Sequence, residues 1–327
     1  MSTIFAFSTD ENYAGLTAVA LHSLFTWNPG AHAAILVDGV SAESRNRIVA
    51  VAERAGGTVE FADSSAMLGP IRAMGAEGYV SFSAYARLFL PATLGDRFER
   101  IVYLDSDTLV TAPLDALSTL DLAGRPFAIA YDCICNRYKK MIGIAADRPY
   151  FNSGVLVMDA ARWRERKVTE RILAYMRDVR HDFMFGDQDY FSVVLHEEAA
   201  TLPPRYNFLT HYQMFRSAGD ARFVMDIPKS CWYGEGEFAE AQRSPAVRHF
   251  LGHTLGRPWF RQSLNPLRDE YRRVAAEAGF PEVAEQSRPV EACYRVQWLC
   301  WKILPRTLFL LSCRAMYRHF FKSAYGV

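Results

Sequence analysis

No stretch of this 327-residue chain approaches the roughly 18 uncharged apolar residues that a membrane-spanning helix needs. Its most apolar part, near the C-terminus, is broken by Lys302, Arg306 and Arg314, so a bilayer-crossing segment is excluded. An excess of charge is lacking too. The 37 Lys and Arg nearly balance 36 Asp and Glu, which leaves no basic footprint for a nucleic acid. Six cysteines contain no C-x-x-C pair and no paired metal spacing; they read as reduced thiols, neither disulfides nor metal ligands. The first ten residues have no basic region followed by a long apolar run, which predicts a first strand, no signal peptide and a cytoplasmic protein. Internal repeats and low-complexity linkers are absent as well. What is present is a globular composition, half apolar and 13% aromatic.

Charge is uneven along the chain. Residues 288–327 hold Arg288, Arg295, Lys302, Arg306, Arg314, Arg318 and Lys322 against the single acid Glu291, whereas 1–287 hold 30 basic and 35 acidic residues. This basic tail also carries Trp298, Trp301, Leu308, Phe309, Leu310, Leu311, Phe320 and Phe321. The mixture suits a helix lying in an anionic membrane interface, and equally a pair of helices packed on the body, with Pro305 kinking or splitting the segment.

The first 160 residues alternate short apolar runs with helical patterns. Ile4–Phe7, Ala33–Val37, Thr58–Phe61, Arg100–Leu104 and Phe127–Ala130 read as strands. A helix over about Tyr13–Trp27 places Leu16, Val19, Ala20 and Trp27 on one face, and Ser41 caps a second that ends at Gly56 and Gly57. The alternation predicts an α/β fold with a mostly parallel central sheet and a ligand crevice beyond the carboxyl ends of its strands. Polar segments follow those ends: Ser8 to Tyr13, Asp105 to Asp107, and Asp132, an acid placed to contact an acceptor. A helical stretch runs to about Arg180, and Ala246–Leu251 is a late apolar strand. Pro and Gly around 256–266 mark the end of a catalytic domain, 1–262, before a helical, basic and aromatic tail, 263–327.

Asp105 and Asp107 leave an apolar strand with one spacer between them. In an extended segment residues i and i+2 share a side, so both carboxylates reach one divalent cation. Two enzyme classes use such a pair: glycosyltransferases, to hold a nucleotide-sugar diphosphate, and haloacid-dehalogenase-type phosphohydrolases, to form an aspartyl-phosphate. Asn152, Ser153 and Gly154 read as a turn before an apolar strand, and Asp187, Gln188 and Asp189 supply a second polar cluster after a turn.

Six motifs then occur in a fixed order: Asp10, Asn12, Tyr13 and Ala14; Tyr85 to Leu88; Asp105 to Asp107; Phe151 to Gly154; Asp187 to Asp189; and His249 to Gly252 with Arg257, Pro258 and Trp259. In this order they resemble the retaining glycosyltransferases of family 8 across about residues 3–262, above all the bacterial lipopolysaccharide galactosyl- and glucosyltransferases. The resemblance implies a GT-A type nucleotide-sugar-binding fold and transfer of a hexose from UDP-galactose or UDP-glucose to a saccharide or glycolipid acceptor. It implies Mn²⁺, or Mg²⁺, on Asp105, Asp107 and His249. Asp10, Asn12 and Tyr13 would hold uracil and ribose, and Arg87 would lie near diphosphate and sugar. Ser106, Gly252 and Arg257 count with the nucleotide-sugar positions. Asn152 and Asp187 would bind sugar hydroxyls, and Gln188 would lie nearest the reacting face of the anomeric carbon, with Asp189 beside it. Covalent and front-face routes both fit the pattern.

One departure stands out. The family usually has Lys before the Pro and Trp of its last motif; here Arg257 stands there and two extra residues precede it, which makes His253 a rival to His249 for the metal. Arg keeps a permanent positive charge for the diphosphate. Taken singly, Arg87 also fits a helix-surface ion pair and Trp259 a core aromatic. Two other functions compete: the phosphohydrolase, with Asp105 as nucleophile and Asp107 as acid and base, and a non-catalytic sugar-binding module. The phosphohydrolase motif needs Thr or Val where Leu109 stands, and belongs at a first strand, not a fourth.

Overall fold

The computed structural model describes residues 2–74, 81–179, 183–251, 256–288, 290 and 292–325. Gly252 and His253 lie outside them. The chain divides into two compact units, one of Met1–Ala130 with Phe151–Leu202, the other of Tyr131–Tyr150 with Pro203–Val327.

A seven-stranded sheet forms the first unit. Its strands are β1 (Thr3–Asp10), β2 (His32–Asp38), β3 (Thr58–Asp63), β4 (Arg100–Leu104), β6 (Phe127–Tyr131), β7 (Phe151–Asp159) and β8 (Ala199–Thr201), while β5 (Thr108–Val110) follows β4 directly. The order is β3-β2-β1-β4-β7-β6-β8. Strand β1 runs parallel to β2 and β4, β2 to β3, and β6 to β8, whereas β7 is antiparallel to β4. All five residues of β4 are buried, as expected of a central strand covered on both faces.

Helix α1 (Ala14–Trp27) is buried along most of its length. Leu16, Val19 and Ala20 are covered as their spacing predicts, but Trp27 is 46% exposed, because it occupies the last helical position, where that face is no longer covered. Helix α2 (Ala42–Arg54) starts where Ser41 Oγ accepts from the Ser44 amide at 3.1 Å. It ends ahead of Gly56, whose φ of 77° favours glycine. At Gly57 a Cβ would stand 2.2 Å from the Phe25 ring, so that pair of glycines both turns the chain and lets it pass α1.

Three local expectations need correction. Strand β1 continues through Ser8, Thr9 and Asp10, because it is paired with β2 as far as Asp38 and its polar side chains find partners: Ser8 Oγ lies 2.9 Å from the Tyr103 hydroxyl, and Thr17 donates to Thr9. Asn152, Ser153 and Gly154 lie inside β7, a strand flanked by β4 and β6 whose polar start is buried. Residues 105–107 form a turn between β4 and β5, closed by Thr108 Oγ1 donating to the Asp105 carbonyl at 2.7 Å.

In the second unit, β9 (Phe208–Leu209) and β10 (Val247–His249) pair in parallel, with His249 opposite Leu209. Its aromatic core includes Tyr212 edge-on to Trp232, and Trp259 among Phe250 and Tyr271. Trp259 is thus a core aromatic. Among the other helices are α4 (Ala218–Met225), α5 (Ala292–Ile303) and α6 (Arg306–Tyr325). Pro305 separates the last two, as a residue without an amide hydrogen would. Arg306 donates to the Met214 carbonyl and pairs with Asp220, and Arg314 pairs with Asp226 and stacks on Phe223, so α6 packs on α4. Among the described residues no helix is long and apolar enough to cross a membrane.

Candidate active site

The polar centre of the first unit is organised by Arg87, carried on the 3₁₀ helix Phe82–Phe89 and only 2% exposed. Its guanidinium is committed in every direction. Nη2 lies 2.8 Å from Asp105 Oδ1, Nε lies 3.1 Å from Asp187 Oδ2 and 2.7 Å from the Ala84 carbonyl, and Nη1 donates to the Ser153 carbonyl at 2.6 Å. Its carbon centre stacks on the Tyr103 ring at 4.5 Å. The helix-surface reading of Arg87 therefore fails. A buried cation flanked by two carboxylates stays protonated, and the pair raises its already high pKa against the opposing cost of burial.

Asp187 is the first residue of helix α3 (Asp187–Val194), not part of a preceding loop. Burial pushes its carboxyl up to about 6, with Arg87 acting against that rise and Asp105 adding to it. Gln188 Oε1 accepts from Asn152 Nδ2 at 2.9 Å, while Asn152 Oδ1 accepts from the Gly154 amide. Asp189 is fully buried and accepts from the Phe185 amide at 2.8 Å, closing the turn into α3. Two bonded groups thus form side by side, Asn152 with Gln188 and Arg87 with Asp105, Asp187 and the Ser153 carbonyl, and they adjoin through the neighbouring positions 152–153 and 187–188. Separately, Asp10 accepts from the Tyr13 amide and from Ser81 Oγ, which folds the Asp10–Tyr13 segment into a turn with Asn12 exposed.

The carboxylates of Asp105 and Asp107 are partly exposed, whereas Ser106 between them is buried, its hydroxyl 2.8 Å from Thr17 Oγ1 and donating to the Ser8 carbonyl. That inward serine anchors the turn to α1 and β1. Tyr103 donates to Asp105 Oδ1 at 2.6 Å. Sequence reasoning missed Tyr103, although it stands on β4 only two residues before Asp105, which leaves the end of that strand.

The second unit holds His249, buried at the end of β10, with Nδ1 3.0 Å from Asn207 Oδ1. Thr210 Oγ1 donates to the His249 carbonyl and accepts from the Leu251 amide. Asp132 and His211 are both buried and stand 3.8 Å apart. Arg257 stacks on Trp259 at 5.4 Å.

Residues 4–263 match the family model of glycosyl transferase family 8. General stress protein A of Bacillus subtilis is 28% identical over 196 residues, covering 59% of this chain and 64% of that protein. The lipopolysaccharide 1,2-glucosyltransferase of Escherichia coli is 31% identical over 131 residues, 39% of this chain and 38% of that protein. The chain thus spans less than two thirds of these curated relatives. Among solved structures, the galactosyltransferase LgtC in complex with donor and acceptor sugar analogs superimposes with a TM-score of 0.69 at 23% identity, covering 90% of this chain and 99% of that one. That likeness gives the fold, the GT-A type α/β architecture expected from the sequence, and the match over most of the chain sets the phosphohydrolase aside. The chain belongs to glycosyl transferase family 8.

Proposed function

We propose that this chain is a metal-dependent retaining hexosyltransferase that moves galactose or glucose from a UDP-sugar to a saccharide acceptor, a lipopolysaccharide or other glycolipid glycan. The observation that carries the reading is the Asp105–Arg87–Asp187 chain around a buried guanidinium in a family 8 protein, an arrangement that couples a strand-end carboxylate to the polar start of α3. LgtC, bound to donor and acceptor sugar analogs, and the Escherichia coli lipopolysaccharide glucosyltransferase, by its name, support the substrate class.

Asp105, Asp107 and His249 are the metal ligands in this reading. Two carboxylates and an imidazole are a donor set that suits manganese, with magnesium the alternative. A divalent cation there supplies positive charge against the departing diphosphate. Asp10, Asn12 and Tyr13 hold the uridine. Arg87 is fixed by its buried contacts and keeps a permanent charge beside the sugar and diphosphate, while Ser106, Gly252 and Arg257 complete the nucleotide-sugar positions. Asn152 and Asp187 bind sugar hydroxyls. The Asn152 contact orients the Gln188 amide, and a polar group oriented in advance costs no reorganisation as charge develops at the anomeric carbon. Asp189 stands beside Gln188 at the reacting centre, and Asp132 contacts the acceptor.

The catalytic domain is 1–262, in keeping with a family match that ends at residue 263, and 263–327 is the appended tail. On that tail Val296, Leu299, Ile303, Leu308 and Leu311 are exposed, and Lys302 lies over both Trp298 and Trp301. Apolar side chains interspersed with cations support a peripheral attachment to the anionic cytoplasmic membrane face. Incubation with UDP-galactose or UDP-glucose, Mn²⁺ and a glycan acceptor tests the activity. Release of UDP with product retaining the donor's anomeric configuration is the expected outcome; sugar binding without any UDP release would make the chain a binding module.

A further inference from the structure

Asn207 belongs to none of the motifs that mark the family, yet it is fully buried beside a buried imidazole. Its position is set by its own backbone, whose amide donates to the Pro204 carbonyl at 3.3 Å as the short helix Pro204–Tyr206 ends. From there its side-chain oxygen lies 3.0 Å from His249 Nδ1. An amide oxygen can only accept, so this contact places the imidazole proton on Nδ1 and leaves the lone pair on Nε2, the form in which a neutral imidazole binds a metal. The ring is held from the backbone side as well, because Thr210 Oγ1 bonds the His249 carbonyl at 3.0 Å and the Leu251 amide at 3.2 Å. The pairing of β9 with β10 brings these three residues together from positions 207, 210 and 249.

We infer that Asn207 is a positioning residue that fixes the tautomer and orientation of His249 for metal binding. The inference rests on the reading of His249 as a metal ligand. Partners of this kind around metal-binding histidines typically change metal affinity by about 10–100-fold when removed, since a ring that turns or carries its proton on the wrong nitrogen must first be reset.

Two readouts that need no turnover test it. Nitrogen-15 NMR of the metal-free protein should show His249 with a protonated Nδ1 and a bare Nε2, and Asn207→Leu should lose that single tautomer. In Mn²⁺ titrations followed by electron paramagnetic resonance, Asn207→Leu should weaken binding by about 10–100-fold, and Asn207→Asp, which keeps an acceptor, should restore most of it. A bare Nδ1 in the wild type overturns the inference without any variant, even if Asn207→Leu does not fold. So does unchanged Mn²⁺ affinity in Asn207→Leu when His249→Ala weakens it. If His249→Ala itself binds Mn²⁺ like the wild type, the metal reading falls and the role of Asn207 falls with it.

Discussion

The Arg87 guanidinium lies 2.8 Å from Asp105 Oδ1, with almost none of its surface exposed. The same group reaches Asp187 at 3.1 Å, so one buried cation compensates the buried Asp187 and the partly exposed Asp105. Removing one member of a buried pair leaves an uncompensated charge and costs about 3–5 kcal/mol. Arg87→Ala should therefore lower stability by that order in a denaturant melt. Arg87→Lys should recover only part of it, because an ammonium cannot reproduce the fork. An unchanged midpoint for Arg87→Ala would mean that the network carries no stability.

The Asp187 carboxyl supplies a pH signature. Its pKa rises from 3.8 unfolded to about 6 folded, mainly through burial. Between those values the native state holds a proton that the unfolded chain has released, so unfolding free energy falls as pH rises through the window and levels off above it. Metal-free wild-type protein should lose stability from about pH 4 to pH 6 more steeply than Asp187→Asn, by up to about 1.4 kcal/mol per pH unit. Parallel stability curves for the two proteins would contradict the raised pKa.

Asp107→Ala should abolish metal-dependent UDP release while leaving the circular dichroism spectrum unchanged, since its carboxylate is partly exposed at a turn and carries little of the core. Near-wild-type turnover in a folded Asp107→Ala protein would refute the metal assignment.

Gln188 is oriented by Asn152 and stands at the start of α3, apart from the Asp10–Tyr13 segment. Gln188→Ala should lower kcat far more than it weakens UDP binding, the behaviour of a contact made in the transition state. A large loss of UDP affinity with kcat unchanged would place Gln188 in the nucleotide site.

Deleting the tail would read out stability, not membrane binding. Arg306 and Arg314 serve as anchors to α4, so truncation of residues 288–327 should lower the melting temperature. Changing Arg295 and Lys302 together to Gln should instead leave the melt unchanged and weaken binding to anionic liposomes at low salt, by roughly 1 kcal/mol per charge removed. Indifference of the full-length protein to such liposomes would leave the tail as a packing element.

Alternating apolar runs and helical periods were sufficient to read the parallel strands β1 to β4, the Ser41 cap and the glycine turn at 56–57, because each depends on neighbours within a few residues. The motif order was likewise legible, and with it the family. Polar residues misled where partners elsewhere in the chain satisfy them: Ser8 and Thr9 continue β1 because Tyr103 and Thr17 bond them, and Asn152 enters β7 because Gln188 does. Arg87 looks like any helix-surface arginine until the fold brings Asp105, Ser153 and Asp187 around it from three other segments. The partnership of Asn207 with His249 spans 42 positions and has no local trace. Sequence alone determined which elements form and which residue types carry the chemistry, since those follow from local pattern and composition. Tertiary structure decided which charges are shared, which polar groups are buried and which amide faces an imidazole nitrogen, because these depend on through-space contacts between segments.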